Sequence, residues 1–319
     1  MMTISFRFLL VVVALVDCSS AVTPSVSFED GCSAVMPAPF TAPLHMGDQS
    51  KEVVILHHLL ARTPSGQKSG GFNVSGNIFD QGTEIALRAF QKAHEPAVNI
   101  SGILNRATAL LLLNNLYTDD GYQDDGRPAV DHGAQYKYKI LIPVHRNRSI
   151  QTNATFLDAH NNVLFHFPVR TKGHVHDGCG RALPESWPNF NDTDFGLNQF
   201  SSGGMTPTGL VEIDLNSPEG EPKLYGPYPV TRFVHGLKGN AAFLIPDVRN
   251  GILIHTGEWP GWKSSEPMPN SAGCVHTWPE YVKRIWETAT KLGAKTRKNP
   301  FGKLPYPFSA QALASVFLV

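Results

Sequence analysis

Ile254-His255-Thr256-Gly257 closes one short apolar run, and after a gap of fifteen residues from the histidine the chain reads Ser271-Ala272-Gly273-Cys274-Val275-His276. A thiol has an unperturbed pKa of roughly 8.5 and is mostly protonated at neutral pH, so a cysteine nucleophile needs an imidazole to take its proton. His255, at the end of a predicted strand, is placed for that. Gly273 lets the backbone approach closely, so that the amide N–H groups of Gly273 and Cys274 would stabilise a developing oxyanion. Ser271 would orient the imidazole through its hydroxyl or its backbone carbonyl. For a Cys and a His taken alone, an inert core thiol and a satisfied strand-end histidine are the plainer alternative.

Upstream of this pair the pattern is of short β-like runs, at 136–142, 152–157, 163–169, 210–215, 241–245 and 251–255, nearly all bounded by turn residues. After it, 277–292 reads as a helix, with Thr277 as N-cap, Glu280 as its capping-box partner and Gly293 as a stop. The expected architecture is therefore α+β, a mainly β domain with one late helix over 136–300. Residues 51–117 are different: three helical pieces separated by glycine-rich turns. The first puts Val53, Leu56, Leu59 and Leu60 on one face and is stopped by Pro64-Ser-Gly66. The second opens at Thr83 as N-cap, and the third runs from about Asn105 to Leu116. Ile78, Phe79, Thr83 and Leu87 recur as Ile103, Leu104, Thr108 and Leu112, each 25 residues on. The run from Gly76 through Thr83 to Phe90-Gln91, followed by Gly102 to Thr108, resembles the peptidoglycan-binding domain of bacterial wall enzymes. That resemblance implies affinity for glycan or stem peptide.

The first 21 residues read as an export signal: Arg7 is the lone early charge, 8–16 is an apolar run, and Ser19-Ser20-Ala21 offers small residues for cleavage. A secreted chain follows, with an extension at 22–50 and no membrane attachment once the signal is removed. The apolar stretch 312–319, inside a tail expected over 301–319, reads as a docked or frayed terminus rather than the remnant of a lipid-anchor signal. Cleavage would leave Cys32, Cys179 and Cys274, an odd number; the simplest assignment, resting on the count alone, bridges Cys32 to Cys179 and leaves Cys274 reduced. Asn73, Asn99, Asn147, Asn153 and Asn191 each head an Asn-x-Ser/Thr glycosylation acceptor. Residues 118–135 carry Asp119-Asp120-Gly121 and Asp124-Asp125-Gly126 and have the composition of a linker; they lack the terminal Glu of a calcium-binding EF-hand loop. With 27 Lys plus Arg against 27 Asp plus Glu, the chain has no global basic field to hold nucleic acid. Its 42% hydrophobic residues exclude disorder as the dominant state.

The His, fifteen-residue gap and Ser-x-Gly-Cys pattern resembles the catalytic motif of L,D-transpeptidases of the YkuD type. Met205-Thr206-Pro207-Thr208-Gly209 is similar to that family's Thr-Pro-x-Gly signature, and a peptidoglycan-binding domain is a common neighbour. The resemblance implies acyl transfer on peptidoglycan stem peptides with no metal or organic cofactor. Cys274 would be the nucleophile, His255 the base, Ser271 its orienting partner, and Gly273 with Cys274 the oxyanion donors. It also implies sensitivity to carbapenems. The chain departs from the family at Ala272, where His or Lys is frequent, and at His276, where Arg or Asn is usual. His276 would bind a substrate carboxylate only when protonated or as a neutral N–H donor. Trp259 and Trp262, between the two motifs, are candidates for a wall or lid over an extended peptide, with simple packing as the alternative. His174-Val-His176-Asp177-Gly-Cys179 has metal-like spacing, but the expected bridge consumes Cys179 and no fourth ligand is evident.

Three readings of function result: a secreted L,D-transpeptidase or L,D-carboxypeptidase, expected to be monomeric; a catalytically silent peptidoglycan-recognition protein; and a structural glycoprotein cross-linked through Cys274. A thiol beside a base favours the first.

Overall fold

The two copies of the 25-residue repeat fold as two copies of one capping device. Helix α3, Gln81–Ala93, begins behind Asp80, whose Oδ1 accepts from both the Thr83 N–H and the Thr83 hydroxyl at 2.8 Å. Helix α4, Arg106–Leu112, begins behind Asn105, whose Oδ1 accepts from the N–H and hydroxyl of Thr108 at 3.0 Å. The expected cap Thr83 is thus the third helical residue, and the true cap is the residue before the helix. Asp has no competing role there, whereas the Thr hydroxyl is needed inside: His57 Nε2 lies 2.7 Å from it. In the second copy Gln91 Nε2 donates to Thr108 Oγ1 and to the Ile103 carbonyl, and Gln91 Oε1 accepts from the Ser101 and Gly102 N–H groups. These partners let two threonines be buried without an unsatisfied hydroxyl.

The computed structural model describes residues 35–69, 71–175, 179–180, 196–259, 263, 265–298 and 309–319. Among the described residues the N-terminal part holds five helices rather than three: α1 Lys51–Ala61, α2 Pro64–Ser69, α3, α4 and α5 Asn115–Thr118. α1 ends at Ala61, ahead of Pro64 as expected, and Pro64 itself opens α2, because a first helical position needs no N–H and favours proline's fixed φ. The faces of α1 and α3 pack Leu56, Leu59, Leu60, Leu87 and Phe90 into a core that is continuous with the sheet residues Val211, Ile213 and Ala314. At that junction His58 stacks on Phe243 with ring centroids 3.8 Å apart, and the Arg62 guanidinium lies over the rings of Phe200 and Phe243.

Among the described residues one eight-stranded sheet follows: β1 Tyr138–Val144, β2 Thr152–Asp158, β3 Val163–Val169, β4 Gly209–Asn216, β5 Val230–Gly236, β6 Leu253–His255, β7 Val275–His276 and β8 Ala312–Leu318, in the order β3-β2-β1-β8-β4-β5-β6-β7. The protein is therefore α+β, with a large, mostly antiparallel sheet and several helices. The apolar C-terminal run is neither frayed nor merely docked. As β8 it sits in the middle of the sheet, parallel to β1 and antiparallel to β4, with Ala312 to Val316 buried. Residues expected as a strand at 241–245 form helix α7, Ala241–Leu244; a four-residue apolar run carries no period that separates the two. Helices α6, Pro222–Tyr225, and α8, Pro279–Lys291, complete the fold. Helix α8 starts at Pro279 without a side-chain cap, because the Thr277 hydroxyl donates to the Pro168 carbonyl at 2.7 Å instead. Gly293, at φ +94°, follows its C-cap Leu292 as expected.

The acidic stretch expected as a linker is strapped to the sheet. Asp119 pairs with Arg146 at 2.7 Å, Asp124 with the buried Lys139 at 2.8 Å, and Asp125 with Lys238 at 2.8 Å. Asp120 accepts from the Thr208 hydroxyl at 3.0 Å and from the Asn240 N–H. A buried ammonium such as that of Lys139 requires a paired carboxylate, so this segment is part of the folded unit. Among the described residues no helix is long and apolar enough to cross a membrane.

Candidate active site

Strands β6 and β7 run parallel, with Ile254 opposite Val275 and His255 opposite His276. Side chains two apart on a strand share a face, so Cys274, just ahead of β7, lies on the face of His276 and of the paired His255. Cys274 is a free, buried thiol; Leu253 N–H donates to its Sγ at 3.4 Å, and Sγ lies 3.7 Å from the Gly251 carbonyl. Cys179 is disulfide-bonded. Cys32, its expected partner, lies outside the described residues.

His255 and Cys274 line one cavity of about 160 Å³, together with Tyr225, Trp259, Ser271 and His276. His255 Nδ1 lies 2.9 Å from the Thr256 carbonyl. A ring that donates from Nδ1 carries its lone pair on Nε2 when neutral, the tautomer a base requires. Burial pushes its pKa down to about 4, against the carbonyls of Thr256 and Leu224, which favour the charged ring. Burial pushes the Cys274 thiol up to about 11, opposed by the Leu253 N–H and the charges of Arg232 and Arg249. The resting pair is thus neutral thiol and neutral imidazole.

The Ser271 hydroxyl is engaged within its own turn rather than with the imidazole. It lies 2.7 Å from the Cys274 carbonyl and 3.1 Å from the Lys172 carbonyl, and it accepts the Gly273 N–H at 3.0 Å. It closes the turn that carries the thiol, while the Thr256 carbonyl holds His255. The same bond engages the Gly273 amide, so of the two expected oxyanion donors this one is occupied. Gly273 itself has φ +105°, and a Cβ there would stand 2.1 Å from Arg249 Nη2 and 2.7 Å from the Gly204 carbonyl. Only glycine fits.

His276 is buried against Trp259, with ring centroids 4.6 Å apart, and lies 4.7 Å from the His255 ring. Its Nδ1 is 2.8 Å from the Pro269 carbonyl, and burial with the neighbouring His255 holds its pKa well below the usual value. A neutral ring with Nδ1–H so engaged offers an acceptor, not a donor, at Nε2, which removes the expected carboxylate-binding role in this state. Trp259 is fully buried at φ +38° and forms cavity wall. Trp262 lies outside the described residues, as do His176 and Asp177 of the metal-spaced segment. Among the described residues no group of three His, Cys, Asp or Glu is arranged to hold a metal. Of the glycosylation acceptors, Asn73, Asn99 and Asn153 are exposed, Asn147 is half-buried with its Oδ1 accepting from the Ser149 N–H, and Asn191 lies outside the described residues.

The Thr-Pro-Thr-Gly loop meets the cysteine turn directly: Thr206 Oγ1 donates to the Gly273 carbonyl at 2.9 Å. Two further residues escape the sequence. Tyr225, from α6, has its ring 5.1 Å from that of His255 and borders both this cavity and a second one of about 340 Å³ on which Cys274, Arg232, Arg249 and Asn250 also open. Arg249 donates to four backbone carbonyls, those of Gln199 and Met205 from Nη1 and those of Gly204 and Ala272 from Nη2. A lone Arg before the turn-forming pair Asn250-Gly251 reads as solvent-exposed, and no neighbouring residue in the sequence marks it as buried.

No protein-family model matches the chain, and no curated protein matches it. Among solved structures, the chain is similar to an L,D-transpeptidase from Xylanimonas cellulosilytica at 15% identity, over 88% of this chain and 99% of that one, with a TM-score of 0.30. It is also similar to Bd1075 of Bdellovibrio bacteriovorus at 13% identity, over 58% of this chain and 49% of that one, with a TM-score of 0.31.

Proposed function

We propose that the chain is an exported cysteine acyl-transferase acting on peptidoglycan stem peptides, as an L,D-transpeptidase or L,D-carboxypeptidase. The observation that carries this reading is the free Cys274 thiol sharing one cavity with His255, whose Nδ1 is held by a backbone carbonyl. In the proposed reaction His255 Nε2 takes the thiol proton as Sγ forms a bond to the substrate carbonyl carbon. The N–H of Cys274 is the donor nearest the developing oxyanion, since that of Gly273 is engaged with Ser271. Collapse breaks the C–N bond to the terminal D-alanine, whose amine receives the proton from His255, leaving a thioester. A second stem's amine resolves it into a cross-link, or water into a shortened stem. The helical repeat would hold the wall polymer.

Incubation with a disaccharide-tetrapeptide should release D-alanine and yield a cross-linked dimer or a tripeptide by mass spectrometry, with none from Cys274→Ala. The burial of Cys274, at 9% exposure, favours a second reading: a recognition protein that keeps the fold without turnover. Binding of wall sacculi without D-alanine release would select it.

A further inference from the structure

We infer that Arg249 is a positioning residue for the Cys274 thiolate: it ties the turn carrying the thiol to the Gly204–Met205 loop and sets an unneutralised positive charge beside it. The inference rests on the reading of Cys274 as a nucleophile. Arg249 is 3% exposed, and all four of its acceptors are main-chain carbonyls. Among the described residues no carboxylate acts on it; the one charged form it is coupled to is that of Cys274. A buried guanidinium is ordinarily paired, because desolvation costs several kcal/mol otherwise. Here the uncompensated charge faces the 340 Å³ cavity on which the thiol also opens. The four carbonyl dipoles engage the Nη1 and Nη2 donors without cancelling the guanidinium charge as a carboxylate would. Of the other groups around the thiol, Arg232 from β5 also favours the thiolate, but it is paired with Glu219, whose charge opposes it. Tyr225 from α6 is neutral, and His255 and His276 from β6 and β7 are held neutral by burial. The geometry also accounts for Gly273, since the space a Cβ would need is where Arg249 Nη2 stands.

The test is the pH dependence of Cys274 alkylation by iodoacetamide, read by intact mass on the full mature chain, with Cys274→Ala as the blank. Arg249→Gln keeps hydrogen-bond donors for the carbonyls and removes the charge; Arg249→Lys keeps the charge. The midpoint should rise by about one pH unit in Arg249→Gln, seen as roughly tenfold slower alkylation below the midpoint, and Arg249→Lys should restore most of it. A Gln variant within twofold of the wild type at every pH overturns the inference. Should Arg249→Gln fail to fold by circular dichroism, Arg249→Lys decides: alkylation within about threefold of the wild type supports the charge, and a tenfold loss overturns it. Alkylation needs no acyl substrate, so this result stands apart from the proposed transfer reaction, which fails separately if the wild type never acylates.

Discussion

Within the helical repeat, the residue that caps each helix, the hydroxyl that answers it and the apolar residues that fill the core lie within a few positions of one another. Asp80, Thr83 and Leu87 recur as Asn105, Thr108 and Leu112 in the same roles. The sheet is assembled the other way. Its central strand β8 comes from the far end of the chain, so that Lys139 pairs with Leu313 on one side and Val211 with Ala314 on the other. Short-range order is written beside itself and can be read; long-range pairing carries no local mark. The difference is sharpest at the ends of each region, where the repeat announces itself by period and β8 is merely an apolar octet.

The strongest way to break the comparison is to remove residues 312–319. Because β8 hydrogen-bonds to both halves of the sheet and its alanines belong to the core that also holds α1 and α3, the truncated chain should lose sheet and helices together. Far-UV circular dichroism and limited proteolysis check this. A truncated protein that keeps a protected helical repeat would make the repeat an independent unit.

The next effect belongs to the site. Gly273→Ala places a Cβ against Arg249 and the Gly204 carbonyl at a φ that L-residues avoid, and should cost about 2–4 kcal/mol with loss of thiol reactivity. Urea denaturation together with alkylation kinetics measures both. An Ala variant of native stability would contradict the packing described for the turn.

A pH titration of stability draws on both regions, because burial also pushes His58 of α1 down to about 4. His255 is held neutral in the fold, with a pKa of about 4 against 6.5 when unfolded, so it contributes stability that is complete above pH 6.5 and is lost as pH falls towards 4. The loss should be about 3 kcal/mol, and His276, also depressed, adds to it. Cys274 acts at the other limit: its raised pKa gives stability that is complete below about pH 9 and lost as pH rises towards 11. A His255→Phe variant should make the acid limb shallower by that amount, with His58 and His276 supplying what is left; an unchanged limb would contradict the assignment of the buried neutral ring.

The smallest effects sharpen the repeat. Asp80→Ala and Asn105→Ala each remove a cap that serves an N–H and a hydroxyl, and each should cost about 1 kcal/mol by thermal or urea melts. Unequal losses would show that the two copies do not carry equal load.

Much of the candidate site was legible because its chemistry sits in two short motifs, which the fold brings together with His255 at the end of β6 and Cys274 just ahead of the paired β7. What the motifs could not convey is which hydrogen bonds a turn spends on itself. Ser271 closes on the Cys274 carbonyl and the Gly273 N–H, so the carbonyl that holds His255 is that of Thr256, supplied by the histidine's own neighbour. Arg249 was invisible for the same reason as β8: its partners, from Gln199 to Ala272, are distant carbonyls that leave no side-chain pattern. Strand β5 was hidden by its polar residues, since Arg232 is buried there only because Glu219 pairs with it. Thr277 misled in the opposite sense, as a sound capping residue whose hydroxyl is claimed by Pro168.

The central proposal is that Cys274 acts as a nucleophile whose proton His255 takes. Intact-protein mass spectrometry after incubation with a carbapenem, on the mature chain beside Cys274→Ala and His255→Ala, tests it most directly. The account predicts one covalent adduct on the wild type, none on Cys274→Ala and a strongly slowed adduct on His255→Ala. A wild-type chain that stays unmodified while Cys274 remains reduced, or one that is acylated equally with and without His255, would contradict it.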